Sequence, residues 1–399
     1  MGLLNTVNHN FTQNFFEKGD FNPLIGEIYN ENKNQNFENP NQNLDSTNLG
    51  AVHLIEFVPP FFKLKFNASK GRLSSFKYTY FKGFMCDLST SKTLEDYMST
   101  QLGKKKKKVV LSRLRRLETC FNIEYKTFYG DISDEECDDL MDAFKTMIIK
   151  RFDQRGDIHS SLKAWDFYKE EAANLIRKKK ACLFVIYNDN KPISISLNFL
   201  CNDIFESAIS SYEIDYAKFG LGNIIVLKKI EWCLANGYNI FNMRYGDYPY
   251  KRVWCNTVFL YDSYVVYKKS IGKLIRAFVV LKKNQAITYA ILNKDKFKAL
   301  AGFRNKLKGD IKSNNNEEHV NQLKGPVFRE LNDYNEADYK NLTPVDIKGE
   351  EFTFLRKPIF DLQYIQASKT EDMLAFKIDD NTYLAKNTKI NKCFLLELA

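Results

Sequence analysis

Between residues 122 and 267 the apolar pattern switches repeatedly between a two-residue and a helical period, and this alternation restricts the fold more than any bulk property. The stretch "NIEYKTFY" (122–129) reads as a strand. Ser133 and Glu136 form a capping box ahead of Cys137, Leu140, Met141, Phe144, Met147 and Ile148, which recur at helical spacing. A second helix is expected over residues 163–178. Next, "ACLFVIY", the turn "NDNK", "PISISLNFL" and "IFESAISSYE" predict three successive strands, the first two joined as a hairpin. After a loop over 214–222, Ile224, Ile225, Leu227, Ile230, Trp232 and Leu234 predict a helix over 223–235, stopped at Gly237. The strand "YNIFNMRY", a short helical turn and the strand "TVFLYDSYVVY" (257–267) complete the run. Each strand or helix of this series has one apolar face to bury. The class that buries all of them is α/β (α+β), a mixed, mostly antiparallel sheet flanked by helices.

The flanks are less regular. Residues 30–48 are rich in asparagine and poor in aliphatic side chains, so residues 1–50 are expected to be disordered or loosely packed, with ordered structure starting near Ala51. There "VHLIEFVPPFFKLKF" reads as two extended runs broken by Pro59 and Pro60. In "QLGKKKKKVVLSRLRRL" (101–117), five lysines precede Val110, Leu111, Leu114 and Leu117 at helical spacing, which predicts a basic amphipathic helix. Its cationic face is either solvated or a binding site for a polyanion. Residues 51–118 are therefore read as an N-terminal half, 119–270 as the core, 271–315 as basic amphipathic helices and 316–399 as an extension. Its runs "FTFLRK", "MLAFKI" and "NTYLAK" look strand-like.

Several classes of chemistry lack the residues they need. The eight cysteines form no Cys-x-x-Cys pair and the four histidines lie far apart, so no metal is expected. The longest apolar stretch, 271–292, is interrupted by Lys273, Arg276, Lys282 and Lys283, so no span is expected and the chain reads as cytoplasmic, or peripheral at the inner face of a membrane. The net charge of +10 favours anionic partners without choosing among them.

Two motifs carry chemistry. Gly220-Leu221-Gly222 lies between a predicted strand and a predicted helix, where glycine permits unusual dihedrals and frees N–H groups for an anion. Further on, "FNMRYGDYPYKRVW" joins a strand to a helical turn through Gly246-Asp247. The element order over 122–267 with this loop resembles the GNAT superfamily of acyl-CoA-dependent N-acyltransferases. The second motif is similar to the Phe-x-x-x-x-Gly-Asp/Glu-x-x-Tyr-Lys-x-x-Trp signature of the cellulose-biosynthesis CelD-like acetyltransferases, relatives of the FemAB-type transferases. "FMCDLSTSKTLEDYMSTQLGKKKKKVVLSRLRRLE" resembles that subgroup's entry segment, and the resemblance covers about residues 80–280.

The resemblance implies a GNAT fold with a partial second GNAT-like N-terminal half and a C-terminal extension. It also implies acyl-CoA (acetyl-CoA) as co-substrate, its pyrophosphate on Lys218, Gly220, Leu221, Gly222 and Asn223, and its pantetheine arm along Ser211 and Tyr212. The sequence departs from the superfamily pattern at Ala217, where a glutamine or arginine is usual, with Lys218 beside it. Acyl transfer to an amine needs a base, an oxyanion donor and a proton for the leaving thiolate. Asp247 and Glu213 are the candidate bases, Tyr250 the candidate acid, and Lys251 a holder of an acceptor's anionic group. The alternative for Asp247 is a turn role between Gly246 and Pro249, and for Tyr250 and Trp254 the packing of one face of a helical turn.

The expected acceptor is a small-molecule or glycan amine, such as an amino sugar or a cell-envelope precursor. Two other readings stay open: FemAB-like aminoacyl transfer from tRNA bound by the basic segments, and a non-catalytic GNAT-like protein that binds an anionic component or membrane surface.

Overall fold

The computed structural model describes residues 6–40, 50–67, 73–154, 156, 159–293, 328–331 and 342–398. In chain order the strands and helices begin with β1 (Thr6–Asn10), β2 (Ile25–Asn30) and β3 (Gln35–Glu38), all ahead of the expected start at Ala51. Aromatic side chains replace the missing aliphatics in this stretch. Phe11, Phe16, Leu24, Ile25 and Ile28 are buried, and the Phe15 ring meets those of Phe16, Phe21, Phe37 and Phe62 at 5.4–5.6 Å. The asparagines satisfy the backbone of the turns: Asn39 Nδ2 donates to the carbonyls of Asn22 and Ile25, and the Oδ1 atoms of Asn22 and Asn30 accept N–H groups two residues on.

The chain continues through β4 (Val52–Val58), β5 (Phe62–Phe66), β6 (Leu73–Asp87), α1 (Leu94–Gln101), α2 (Lys104–Cys120), β7 (Ile123–Phe128), α3 (Asp134–Asp153) and α4 (Trp165–Arg177). In α3 the six residues of the predicted stripe are all buried, and Ser133 Oγ accepts the Glu136 N–H at 3.1 Å. Next come β8 (Ala181–Asn188), β9 (Lys191–Cys201), β10 (Ile204–Tyr212), α5 (Leu221–Ala235), β11 (Ile240–Tyr245), α6 (Pro249–Trp254), β12 (Thr257–Lys268) and α7 (Ile271–Leu292). The alternation read from the sequence is thus the alternation in the structure, and the α/β class with a mixed sheet and flanking helices holds.

Beyond α7 lie β13 (Arg329–Glu330), β14 (Thr343–Pro344), α8 (Thr353–Gln366), β15 (Met373–Lys377), β16 (Thr382–Asn387) and β17 (Lys392–Glu397). The run "FTFLRK" (352–357) is helical, not extended. It opens α8 because Leu355, Ile359 and Leu362 recur at helical spacing and bury one face. The second basic helix expected over 294–312 lies outside the described residues.

The chain forms two compact units that are discontinuous in sequence. The first comprises residues 1–90, 199–206 and 236–315. Its sheet runs β1-β4-β12-β6-β11, with β1 parallel to β4, β12 antiparallel to both neighbours, and β11 antiparallel to β6. A smaller sheet orders β3-β2-β5. The second unit comprises residues 91–198, 207–235 and 316–399, with strands ordered β10-β9-β8-β7 and a separate sheet β13-β17-β16-β15-β14. In its core Phe121 meets Tyr216, Phe219 and Phe360 at 5.0–5.1 Å, which locks α8 and the turn before α5 together. Among the described residues, no helix is long and apolar enough to cross a membrane.

Candidate active site

In the second unit, β10 offers a strand edge next to a helix N-terminus. The parallel register of β10 with β11 runs Ile204↔Ile240, Phe205↔Phe241 and Glu206↔Asn242 and stops there. On the other side β10 is held firmly. Ser194 Oγ donates to the Ser211 carbonyl at 3.1 Å, Ser196 Oγ to the Ile209 carbonyl at 3.0 Å, and the Glu213 N–H to the Ile193 carbonyl at 2.9 Å. Lys229 of α5, fully buried and with its amine pushed down to about 7 by that burial, donates to Ser207 Oγ and Ser210 Oγ at 3.0 and 3.1 Å. Ser211 Oγ is buried without a protein partner. A rigid strand whose other edge ends its pairing at Glu206 is ready to accept a ligand that hydrogen-bonds like a strand.

The chain leaves β10 through a tight helical turn over Ile214–Phe219 and reaches Gly220 in the left-handed region, at φ 73°. Gly220 is required twice over. A side chain there would be strained, and its Cβ would also lie 3.0 Å from both Cδ and Nη1 of Arg113. The Gly220 carbonyl accepts the Asn223 and Ile224 N–H groups, while the N–H groups of Leu221 and Gly222 precede the first intrahelical acceptor and face the helix entrance. Arg113, carried in from α2, brings a guanidinium to this point, and its Nε is buried without a partner.

Arg113 was not among the residues expected from the sequence. Its signal was only one charge among several in the basic helix, since periodicity names a face but not what the face meets. Ala217, at the position where the superfamily pattern has a polar anchor, contributes only its carbonyl to the Gly220 N–H. The cation nearest the turn in the described contacts is Arg113, which approaches Gly220 rather than Ala217.

The other expected donor-site residues surround the same turn. Tyr212 lies over Gly222, where an added Cβ would be 3.4 Å from Tyr212 Cε1, and the Arg151 guanidinium sits 4.3 Å from the centre of the Tyr212 ring. Lys218 and Arg116 both approach the Tyr364 ring, at 6.0 and 5.4 Å. Glu213 is ion-paired with Lys150 at 3.6 Å. Beside it, burial and then the Glu213 charge push the Asp215 carboxyl up to about 6.

The second motif lies in the first unit. β11 ends at Tyr245, Gly246 takes φ 98°, and α6 begins with Pro249. Asp247 is clamped by Arg252, whose Nε and Nη2 reach its two oxygens at 2.5 and 2.6 Å. That bond holds its carboxyl below the usual range, which weakens it as a base. Lys251 is 4 % exposed and donates to the Tyr245 carbonyl at 2.6 Å, tying the turn together, and burial pushes its amine down to about 8. The expected role of holding an acceptor's anion would require that lysine to leave the turn. Tyr250 is 46 % exposed, with its ring 6.2 Å from that of Tyr248. Trp254 is fully buried, and its carbonyl accepts the Cys86 thiol.

Where β11 and β10 part, the structure places a charged cluster that sequence reasoning missed. Arg244 Nη2 lies 2.6 Å from Glu17 Oε1 and 2.6 Å from Glu206 Oε1, and its Nε donates to Glu206 Oε1 at 2.8 Å. Asn242 Nδ2 donates to Glu206 Oε2 at 3.2 Å. Arg244 itself takes a left-handed φ of 61°, a conformation that costs about 1 kcal/mol for a residue with a side chain. Burial raises the Glu206 carboxyl to about 7, the nearby arginine opposing the rise and Glu17 adding to it. This is the pKa that a base working near neutrality needs. Among the described residues no group of three or more His, Cys, Asp or Glu side chains is placed to hold a metal ion.

Residues 104–252, which include α2, the Gly220 turn, Arg244 and Asp247, match the family described as an acetyltransferase (GNAT) domain. No curated protein matches the chain. Among solved structures, the chain is similar to FemX (9% identity, 56% of this chain and 74% of that chain, TM-score 0.39). It is also similar to L-PGS from Bacillus licheniformis (12%, 59% and 74%, TM-score 0.35) and to a conserved protein of unknown function from Bacteroides thetaiotaomicron (10%, 55% and 71%, TM-score 0.37).

Proposed function

We propose that this protein is an N-acyltransferase that takes an acyl group from an acyl-CoA thioester and passes it to an amine. The observation that carries the reading is the convergence, within one compact unit, of the β10 edge over residues 207–212, the left-handed Gly220 turn with the free first-turn N–H groups of α5, and Arg113 beside them. Such an edge suits the amide groups of a pantetheine arm. The helix N-terminus and guanidinium suit a pyrophosphate. The thioester supplies the activated acyl group.

The chain's own residues then have separate tasks. Glu206 of the first unit has the raised carboxyl that a base near neutrality needs, and is the candidate to accept the proton that an ammonium nucleophile must lose. Arg244 and Asn242 hold its carboxylate in place. Tyr250, 46 % exposed on the first unit, is the candidate for the acid that returns a proton to the departing thiolate. Asp247, clamped by Arg252, orders the turn that presents Tyr250.

The acyl group in this reading is acetyl, and the acceptor an amino sugar or a cell-envelope precursor. Those finer assignments are supported only by the resemblance of residues 241–254 to the CelD-like signature. Calorimetric titration with coenzyme A and acetyl-CoA tests the donor half directly, with Gly222→Asp, which puts a negative charge at the helix entrance, as control. Absence of binding to the folded wild-type protein would overturn the proposal.

One observation favours a second reading. α2 begins with five consecutive lysines at the positive end of its own dipole, and of these Lys107 is paired with Glu95. Each such cation costs about 0.3–1 kcal/mol there unless an anion offsets it. A polyanionic donor such as aminoacyl-tRNA would provide that offset. Steeply salt-dependent RNA binding, without coenzyme A binding, would favour it.

A further inference from the structure

α7 carries a feature that acyl transfer does not use. One side of the helix, formed by Ala277, Val280 and Leu281, packs on Val52, Leu54, Tyr78, Val265 and Tyr267 of the first unit's sheet. The side opposite exposes large apolar residues at helical spacing: Ile271 at 81 %, Ile275 at 60 %, Phe278 at 49 % and Tyr289 at 61 %, with Leu274 and Val279 alongside. The helix contains no Asp or Glu. Its charges are Lys273, Arg276, Lys282 and Lys283, and Lys268 and Lys269 stand just before it. Lys282 lies in the apolar stripe itself, its ammonium 5.3 Å from the centre of the Phe278 ring.

We propose that this face of α7 lies on the surface of an anionic lipid bilayer. Bulky apolar side chains on one face with only cations around them form the pattern of a helix lying in the plane of an interface, its apolar residues reaching the acyl boundary and its lysines the phosphate level. The four cations interrupt the helix too often for it to span. A protein partner fits less well, because contact surfaces are depleted in lysine, whereas each lysine near an anionic leaflet adds about 1 kcal/mol of attraction.

The test is flotation of the full chain with vesicles of phosphatidylcholine alone and of phosphatidylcholine mixed with phosphatidylglycerol. Binding is expected only to the anionic vesicles and is expected to disappear at high salt. Ile275→Glu/Phe278→Glu and, separately, Lys282→Glu/Lys283→Glu should each weaken it at least about tenfold with unchanged circular dichroism. Ile275, Lys282 and Lys283 are exposed, whereas Phe278 also meets the Phe76 ring edge-on at 6.4 Å, so Ile275→Glu alone is the variant that leaves the packed face untouched and should weaken binding in the same direction. Failure of the wild-type chain to float with anionic vesicles, or flotation unaffected by both variants, overturns the proposal. A concentration-dependent dimer that Ile275→Glu/Phe278→Glu makes monomeric, with no vesicle binding, would assign the face to a second copy and overturn it equally. None of these outcomes depends on the acyltransferase reading.

Discussion

Arg244 Nε donates to Glu206 Oε1 at 2.8 Å, so a carboxylate buried to 0 % exposure is held by a guanidinium from the next strand. Burial nevertheless wins and lifts that carboxyl to about 7. Two consequences of opposite sign share one pH window. The proton-accepting form of Glu206 appears as pH rises through 7, so kcat/KM should rise there. Its folded pKa lies above its unfolded value, so its contribution to stability is complete below about 4.5 and is lost as pH rises through 7. Glu206→Gln should lower kcat by about 100-fold or more and remove the acid limb of the profile. A limb that persists in the folded variant would assign the base elsewhere.

Arg113 should be read in binding rather than in chemistry. Arg113→Ala removes one charge-assisted contact to an anion, and the expected result is about a tenfold weaker coenzyme A affinity by calorimetry, with KM raised and kcat nearly unchanged. Arg113→Lys should recover part of it, since a lysine restores the charge but not the fork. Equal affinity in all three proteins would remove Arg113 from the donor site.

Gly220→Ala should cost about 1–2 kcal/mol in urea unfolding, because its φ of 73° is unfavourable for any residue with a Cβ. The added Cβ also meets Arg113, so donor affinity should fall in the same variant. Gly222, which has ordinary room in front of Tyr212, should tolerate alanine with little loss of stability.

Lys251 and Asp247 should separate sharply in stability measurements. Lys251→Met leaves the Tyr245 carbonyl without its donor and should cost about 1–3 kcal/mol. Asp247→Asn breaks a partly exposed pair and should cost less than about 1 kcal/mol. The Lys251 amine is depressed to about 8 in the folded protein, so its contribution to stability is complete above 10.5 and is lost as pH falls through 8. The wild-type chain should therefore lose more stability than Lys251→Met between those two values, as followed by denaturant midpoints.

How far the sequence could be read depends on the range of the forces involved. The stripe of α3, the hairpin of β8 and β9 and the turn at Gly220 were legible because each is written in residues a few positions apart, where backbone geometry alone decides which side chains share a face. The strands before Ala51 were not legible, because asparagine-rich composition hid a cluster of phenylalanines that become a core only when Phe62 joins them from β5. The helical start of α8 was missed for the opposite reason, a six-residue window being too short to show its period.

The candidate site divides along the same line. The amino-acid order by itself determined the α/β alternation, the glycine turn before α5 and the Gly-Asp-Tyr-Pro-Tyr-Lys motif after β11, since all of these are local. Only the tertiary structure decided that Arg113 reaches Gly220, that Glu17, Arg244 and Glu206 meet, and that Lys251 faces carbonyls instead of solvent. Those meetings bring together side chains far apart in sequence, and the burial that tunes Glu206 and Lys251 exists only after the chain has closed around them.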